Sequence, residues 1–138
     1  MSDKTIIKKI AFAIFKESKI LMVRGYKDID IFKFLGGKPE GNESDLDCLK
    51  REDNEEINID VKEDSISFLN EFENFAYNKP DTKVRIYLYT GEIIGDPIPS
   101  SEIVEIKYCD TNSNIDPRNE NPIAKDIFGW LKTQGYIL

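Results

Sequence analysis

From Gly36 to Ile59 the chain reads GGKPEGNESDLDCLKREDNEEINI, a glycine turn followed by a segment with a marked helical start. Ser44 carries an N-cap signature, with Asp47 three residues on in the place usually taken by Glu, so the pattern predicts a helix beginning at Ser44 or Asp45. In a helix Glu52, Glu55 and Glu56 share one face, while Leu46 and Leu49 lie on another. Carboxylates at that spacing repel and mildly destabilise an isolated helix. The segment therefore calls for a compensating charge.

A solvated acidic face is the ordinary compensation. A divalent cation is the other, because clustered carboxylate oxygens are what Mg²⁺ or Mn²⁺ select. The spacing of the whole stretch favours the cation: Gly37, five residues, Glu43, seven residues, Arg51-Glu52, two residues, Glu55-Glu56, two residues, Ile59. This is the pattern of the Nudix box, and the chain resembles a Nudix hydrolase of the MutT-like kind. Two positions depart from the family pattern. Asp53 stands where an aliphatic residue is usual; four residues after Leu49, it continues the apolar seam and aims a carboxylate at the core, where an unpartnered charge costs several kcal/mol or takes up a proton. Asn58 replaces the Gly that ends the helix, and Asn is the next-best residue for a left-handed cap.

The resemblance implies an α/β/α sandwich, with a mixed β-sheet between the catalytic helix and a C-terminal helix, formed by one domain over residues 1–138. It implies hydrolysis of a nucleoside diphosphate linked to another moiety, with Mg²⁺, or Mn²⁺ in its place, held by Glu52, Glu55, Glu56 and the carbonyl of Gly36 or Gly37. Arg51 pairs with Glu43 and Glu55 to fix the ligand rotamers. Glu102, or one of the helix glutamates, is the general base; Glu102 also counts as a metal ligand, with Glu105 its competitor. Arg24 is the expected contact to substrate phosphate or base and Lys38 to phosphate, Phe34 is the platform beside the nucleobase, and Asn119, in a stretch similar to the tail of MutT, is the reader of a guanine edge. A purine (d)NTP, oxidised guanine included, cleaved to the monophosphate and pyrophosphate is the narrower expectation. Nucleotide sugars, dinucleoside polyphosphates and capped RNA are the alternatives, along with a Nudix fold kept as a non-catalytic nucleotide-binding module.

Elsewhere the sequence mainly excludes. Its 138 residues carry no histidine, which rules out His-based triads, His-ligated zinc and imidazole bases. A net charge of −7 argues against duplex nucleic acid and anionic membranes as partners, although a nucleotide can bind across a cation. Cys48 and Cys109 show no metal or redox spacing. The expected setting is the cytoplasm, as a monomer or homodimer, with neither signal peptide nor anchor.

Alternation predicts a hairpin from residues 5–15 and 19–24, then a polar loop to Asp30. It predicts strands over 65–77 and 83–94 around a Lys79-Pro80-Asp81 turn, and a further strand over 102–110. Within 83–94, Val84, Ile86 and Leu88 face one way and Arg85, Tyr87 and Tyr89 the other, the latter set being a candidate pocket wall but more often a half-exposed sheet face. A last helix from about Asn121 to Gln134, stopped by Gly135, buries Ile123, Ile127, Trp130 and Leu131.

Overall fold

A computed structural model describes residues 5–76, 79–117 and 121–138. In chain order the elements are β1 (Thr5–Ala13), β2 (Phe15–Lys16), β3 (Lys19–Gly25), β4 (Lys33–Gly37), α1 (Asp45–Ile57), β5 (Asp60–Val61), β6 (Ser67–Ala76), β7 (Lys79–Thr90), β8 (Ile93–Ile94), β9 (Ile103–Cys109) and α2 (Pro122–Thr133). Seven strands form one mixed sheet in the order β2-β3-β4-β1-β7-β6, with β9 added against β3. β1 and β7 run parallel, from the Thr5–Thr82 pair to Ala13–Thr90, and the other pairings are antiparallel. β5 and β8 form a separate two-stranded ladder.

Strand alternation sends successive residues to opposite faces, and both faces of this sheet are covered. Ala11, Ala13, Ile20, Met22, Val84, Ile86 and Leu88 pack with Ile123, Ala124, Ile127, Phe128 and Leu131 of α2. Ile10, Phe12, Leu21, Val23 and Leu35 pack instead with Cys48, Leu49 and Ile57 of α1. The result is the expected sandwich of a mixed sheet between two helices.

Some local expectations are corrected. Lys79, Pro80 and Asp81 open β7 rather than forming a turn, which Pro tolerates at the start of a strand where it owes no ladder hydrogen bond. The polar stretch after β3 contains a short 3₁₀ turn, Tyr26–Asp28. The 83–94 run is divided, its last residues leaving the main sheet as β8. Arg85, Tyr87 and Tyr89 form the half-buried sheet face that was the commoner expectation for them and do not line the site cavity: Arg85 is tied to Glu73 at 2.6 Å and the Tyr89 hydroxyl donates to Asp45 at 2.7 Å. Alternation separated the two faces correctly, and Val84 and Ile86 of the other face make the cavity wall.

Candidate active site

The helix carrying the glutamates begins as its cap residue dictates. Ser44 Oγ accepts from the Asp47 backbone N–H at 3.1 Å, and Asn58 closes the far end in the left-handed region at φ 58°, its N–H donating to the Asn54 carbonyl. Arg51 then gathers the acidic side chains. Its Nε donates to Glu43 Oε2 at 2.7 Å and Nη1 to Glu52 Oε1 at 2.8 Å and to Glu55 Oε2 at 3.2 Å, while Nη2 donates to Glu43 Oε1 and to the Lys38 carbonyl. One guanidinium thus fixes three carboxylates and the loop leading to the helix, as bidentate Arg pairing allows.

Glu56 lies on the other side of this network, against the end of β4. Its Oε1 accepts from the Gly36 N–H at 2.9 Å. Gly36 has φ +139°, and a Cβ there would fall 2.0 Å from the Ile10 carbonyl oxygen. A Cβ on Gly37 would fall 2.6 Å from the Glu52 carboxyl carbon. The glycine pair is therefore what lets backbone and carboxylates share one corner. The Gly37 carbonyl in turn accepts from the Cys48 thiol at 3.7 Å.

The corner is short of positive charge. Burial, then the repulsion of Glu52, Glu102 and Glu55, pushes the Glu56 carboxyl up to about 8 against the help of the Gly36 N–H. Burial also raises Glu52, with Arg51 opposing it. Asp53, fully buried and with neither oxygen hydrogen-bonded, is pushed up to about 8 by desolvation and by Glu56 and Glu52. Hard carboxylate oxygens beside a backbone carbonyl are a donor set that suits Mg²⁺ or Mn²⁺. Among the described residues no three His, Cys, Asp or Glu side chains stand together as a ready-made cage. Mg²⁺ is commonly held by one or two carboxylates, with waters and substrate phosphates completing its shell.

The corner opens on a cavity of about 600 Å³. Phe34, Gly37, Lys38, Glu52, Glu56 and Glu102, all expected at the site, line it. Phe34 is braced by Phe128, with ring centroids 5.7 Å apart. Glu102 reaches the cavity from the loop before β9 and pairs with Lys27 at 2.7 Å. Glu55 is turned to Arg51 and does not line the cavity. Nor does Arg24, whose guanidinium lies over the Phe32 ring, binds Glu105 and donates to the Ile29 carbonyl. The substrate contact expected of Arg24, to phosphate or base, is thus directed away from the cavity, and Glu105 is occupied by it. Asn119 lies outside the described residues. Lys9, Lys27, Lys33, Lys79 and Asn121 also line the cavity and were not singled out by sequence. The one local signal was Lys9, an interruption in the apolar run of β1.

Solved structures share this fold. The MutT protein of Methanosarcina mazei superposes with a TM-score of 0.75 at 19% identity, covering 97% of this chain and 98% of that one. A UDP-X diphosphatase gives 0.71 at 16% identity, covering 99% of this chain and 66% of the other. The m7GpppN-mRNA hydrolase of Saccharomyces cerevisiae is 30% identical over 91% of this chain, which spans only 14% of that relative's length. Residues 8–131 match the NUDIX domain as a family, running from within β1 into the last turn of α2 with the Arg51 network and the glycine corner between them, and the chain belongs to the Nudix family, with a MutT-like fold.

Proposed function

We propose that residues 1–138 act as a single-domain, divalent-cation-dependent pyrophosphohydrolase, cleaving a nucleoside diphosphate linked to another moiety. The observation that carries this reading is the corner where Glu52 and Glu56 meet Gly36 and Gly37 on the wall of a lysine-lined cavity. Glu52, Glu56 and, once released from Arg51, Glu55 are the residues that would hold the cation, with a carbonyl of the glycine pair. Bound there, Mg²⁺ would draw charge off the phosphoryl oxygens and lower the pKa of an attacking water. Arg51 keeps Glu43, Glu52 and Glu55 in fixed rotamers, and Lys38 neutralises phosphate at the cavity edge. Glu102, or a helix glutamate, accepts the proton of the water. The intact glutamate set argues against a purely binding module, which has no need of mutually repelling carboxylates.

The narrower reading is a purine (d)NTP, with Phe34 as the wall beside the base and Asn119 as the reader of its edge. The relative named for mRNA hydrolysis and the neighbour named for UDP-X add capped RNA and nucleotide sugars to the classes worth testing. A panel of (d)NTPs, oxidised purine nucleotides, nucleotide sugars, dinucleoside polyphosphates and capped RNA with Mg²⁺, scored by released phosphate and pyrophosphate, separates these classes. Hydrolysis of at least one class is expected, with the ranking disturbed in Asn119→Ala if that side chain reads the base. Mg²⁺ binding without turnover on any of them would favour the module.

A further inference from the structure

Lys9 breaks the pattern of the sheet face that it stands on. Ile7 and Ala11 flank it on that face, Ile86 is its register partner on β7, and Ile123 of α2 lies across the same cavity. Lys8, on the opposite face, is neutralised by Asp45 at 2.8 Å. Lys9 is half-buried, and its ammonium has no hydrogen bond or ion pair among the described residues. Burial and the repulsion of Lys33, Lys38 and Lys79 hold its pKa below the ordinary lysine range, with Asp28 pulling the other way. Asp28 is itself bound to Lys33 at 2.6 Å. Lys38 and Lys79 also have no ion-pair partner among the described residues.

A desolvated ammonium among like charges is costly, and an aliphatic residue would suit this wall better. The cost is offset if the cavity receives an anion. A cation at the Glu52–Glu56 corner would serve the pyrophosphate, whereas Lys9 shares the α2 face of the sheet with Ile86 and Phe34, opposite the face on which α1 packs.

We propose that Lys9, with Lys79 on the same cavity wall, is the specificity-determining group for a phosphate carried on the substrate's nucleoside, in addition to the pyrophosphate that is cut. This rests on the pyrophosphohydrolase reading above. A phosphate in this position would accept charge-assisted hydrogen bonds from a group otherwise left unpaired. A substrate lacking it leaves the half-buried ammonium unmatched, and selectivity arises from that mismatch.

Matched pairs that differ by one ribose phosphate isolate the effect: NADPH against NADH, and coenzyme A against dephospho-coenzyme A. With Mg²⁺, kcat/KM is expected to favour the phosphorylated member by at least about tenfold. In Lys9→Met the ratio is expected to fall to within about twofold, while Lys9→Arg retains most of it. Lys79→Met, at an exposed position, loses part of the preference and serves if Lys9→Met does not fold. A dinucleoside tetraphosphate compared with the diphosphate tests whether chain length rather than nucleoside phosphate is read; a preference confined to that pair overturns the proposal. So does equal hydrolysis within the ribose-phosphate pairs, or a preference that survives Lys9→Met. Binding of adenosine 3′,5′-bisphosphate and AMP in EDTA, by calorimetry, provides a readout independent of turnover. The bisphosphate is expected to bind at least about tenfold more tightly, with the difference lost in Lys9→Met. If no nucleotide is cut yet this binding difference holds, the hydrolase reading fails and the Lys9 assignment stands; if the pairs are cut at equal rates, the assignment alone fails.

Discussion

Glu56→Gln is expected to lower kcat by at least about a hundredfold while leaving the fold intact, because it removes a charged oxygen from a site that works chiefly by electrostatics. The side chain's structural contact is its acceptance of the Gly36 N–H, and a glutamine carbonyl can accept the same bond. Removal of the charge also relieves the repulsion from Glu52, Glu102 and Glu55 that, with burial, drives the carboxyl up to about 8. The denaturation midpoint of the metal-free variant should therefore equal or exceed the parent's while the rate collapses. A variant that keeps most of its activity would show that the cation is held elsewhere.

Asp53→Leu is expected to stabilise the protein by about 1–3 kcal/mol near neutral pH, since it replaces an unpartnered buried carboxyl with an aliphatic group on the Leu49–Ile57 side of α1. The gain should depend on pH in a defined direction. An Asp near 3.9 in the unfolded chain and at about 8 in the folded one binds more protons when folded. Its contribution is therefore fully present below about pH 4 and is lost as pH rises through about 8. Glu56, also raised to about 8, follows the same sign and leaves a residual slope in the variant. Denaturation midpoints at acid and mildly alkaline pH should show the advantage of Asp53→Leu widening as pH rises. A pH-independent difference, or a variant less stable than the parent, would mean that Asp53 has a partner in solution.

The catalytic helix was legible in the sequence because it depends on local geometry, whereas the glycine corner, where Gly36 meets Glu56 twenty residues on, was reached only through the family resemblance. Spacing along a helix decides which side chains share a face, so Glu52, Glu55 and Glu56, the Arg51–Glu55 pair and the inward direction of Asp53 could be read from periodicity, and Ser44 from cap chemistry. What sequence could not supply is set by contacts between distant segments. Lys79-Pro80-Asp81 has turn composition, but pairing between β6 and β7 claims Lys79, and the strand begins there. Arg24 sits at the predicted strand end, yet its direction is decided by Glu105 across the β3–β9 ladder. Lys9 looked like an interruption in an apolar run until β4, β7 and α2 placed Gly36, Ile86 and Ile123 around one cavity with it. Alternation along β7 separated two faces, but only the packing of α2 shows which one borders the cavity.

The central claim is that the Glu52–Glu56 corner holds the cation on which hydrolysis depends. It is tested most directly by following Mn²⁺ binding with electron paramagnetic resonance, and hydrolysis of the best panel substrate, on the same samples of parent and Glu56→Gln. EDTA should abolish the parent's activity and added Mg²⁺ restore it, while Mn²⁺ affinity falls at least about tenfold in Glu56→Gln together with the rate. Hydrolysis undiminished by EDTA, or Mn²⁺ bound equally well by the two proteins, would contradict the claim.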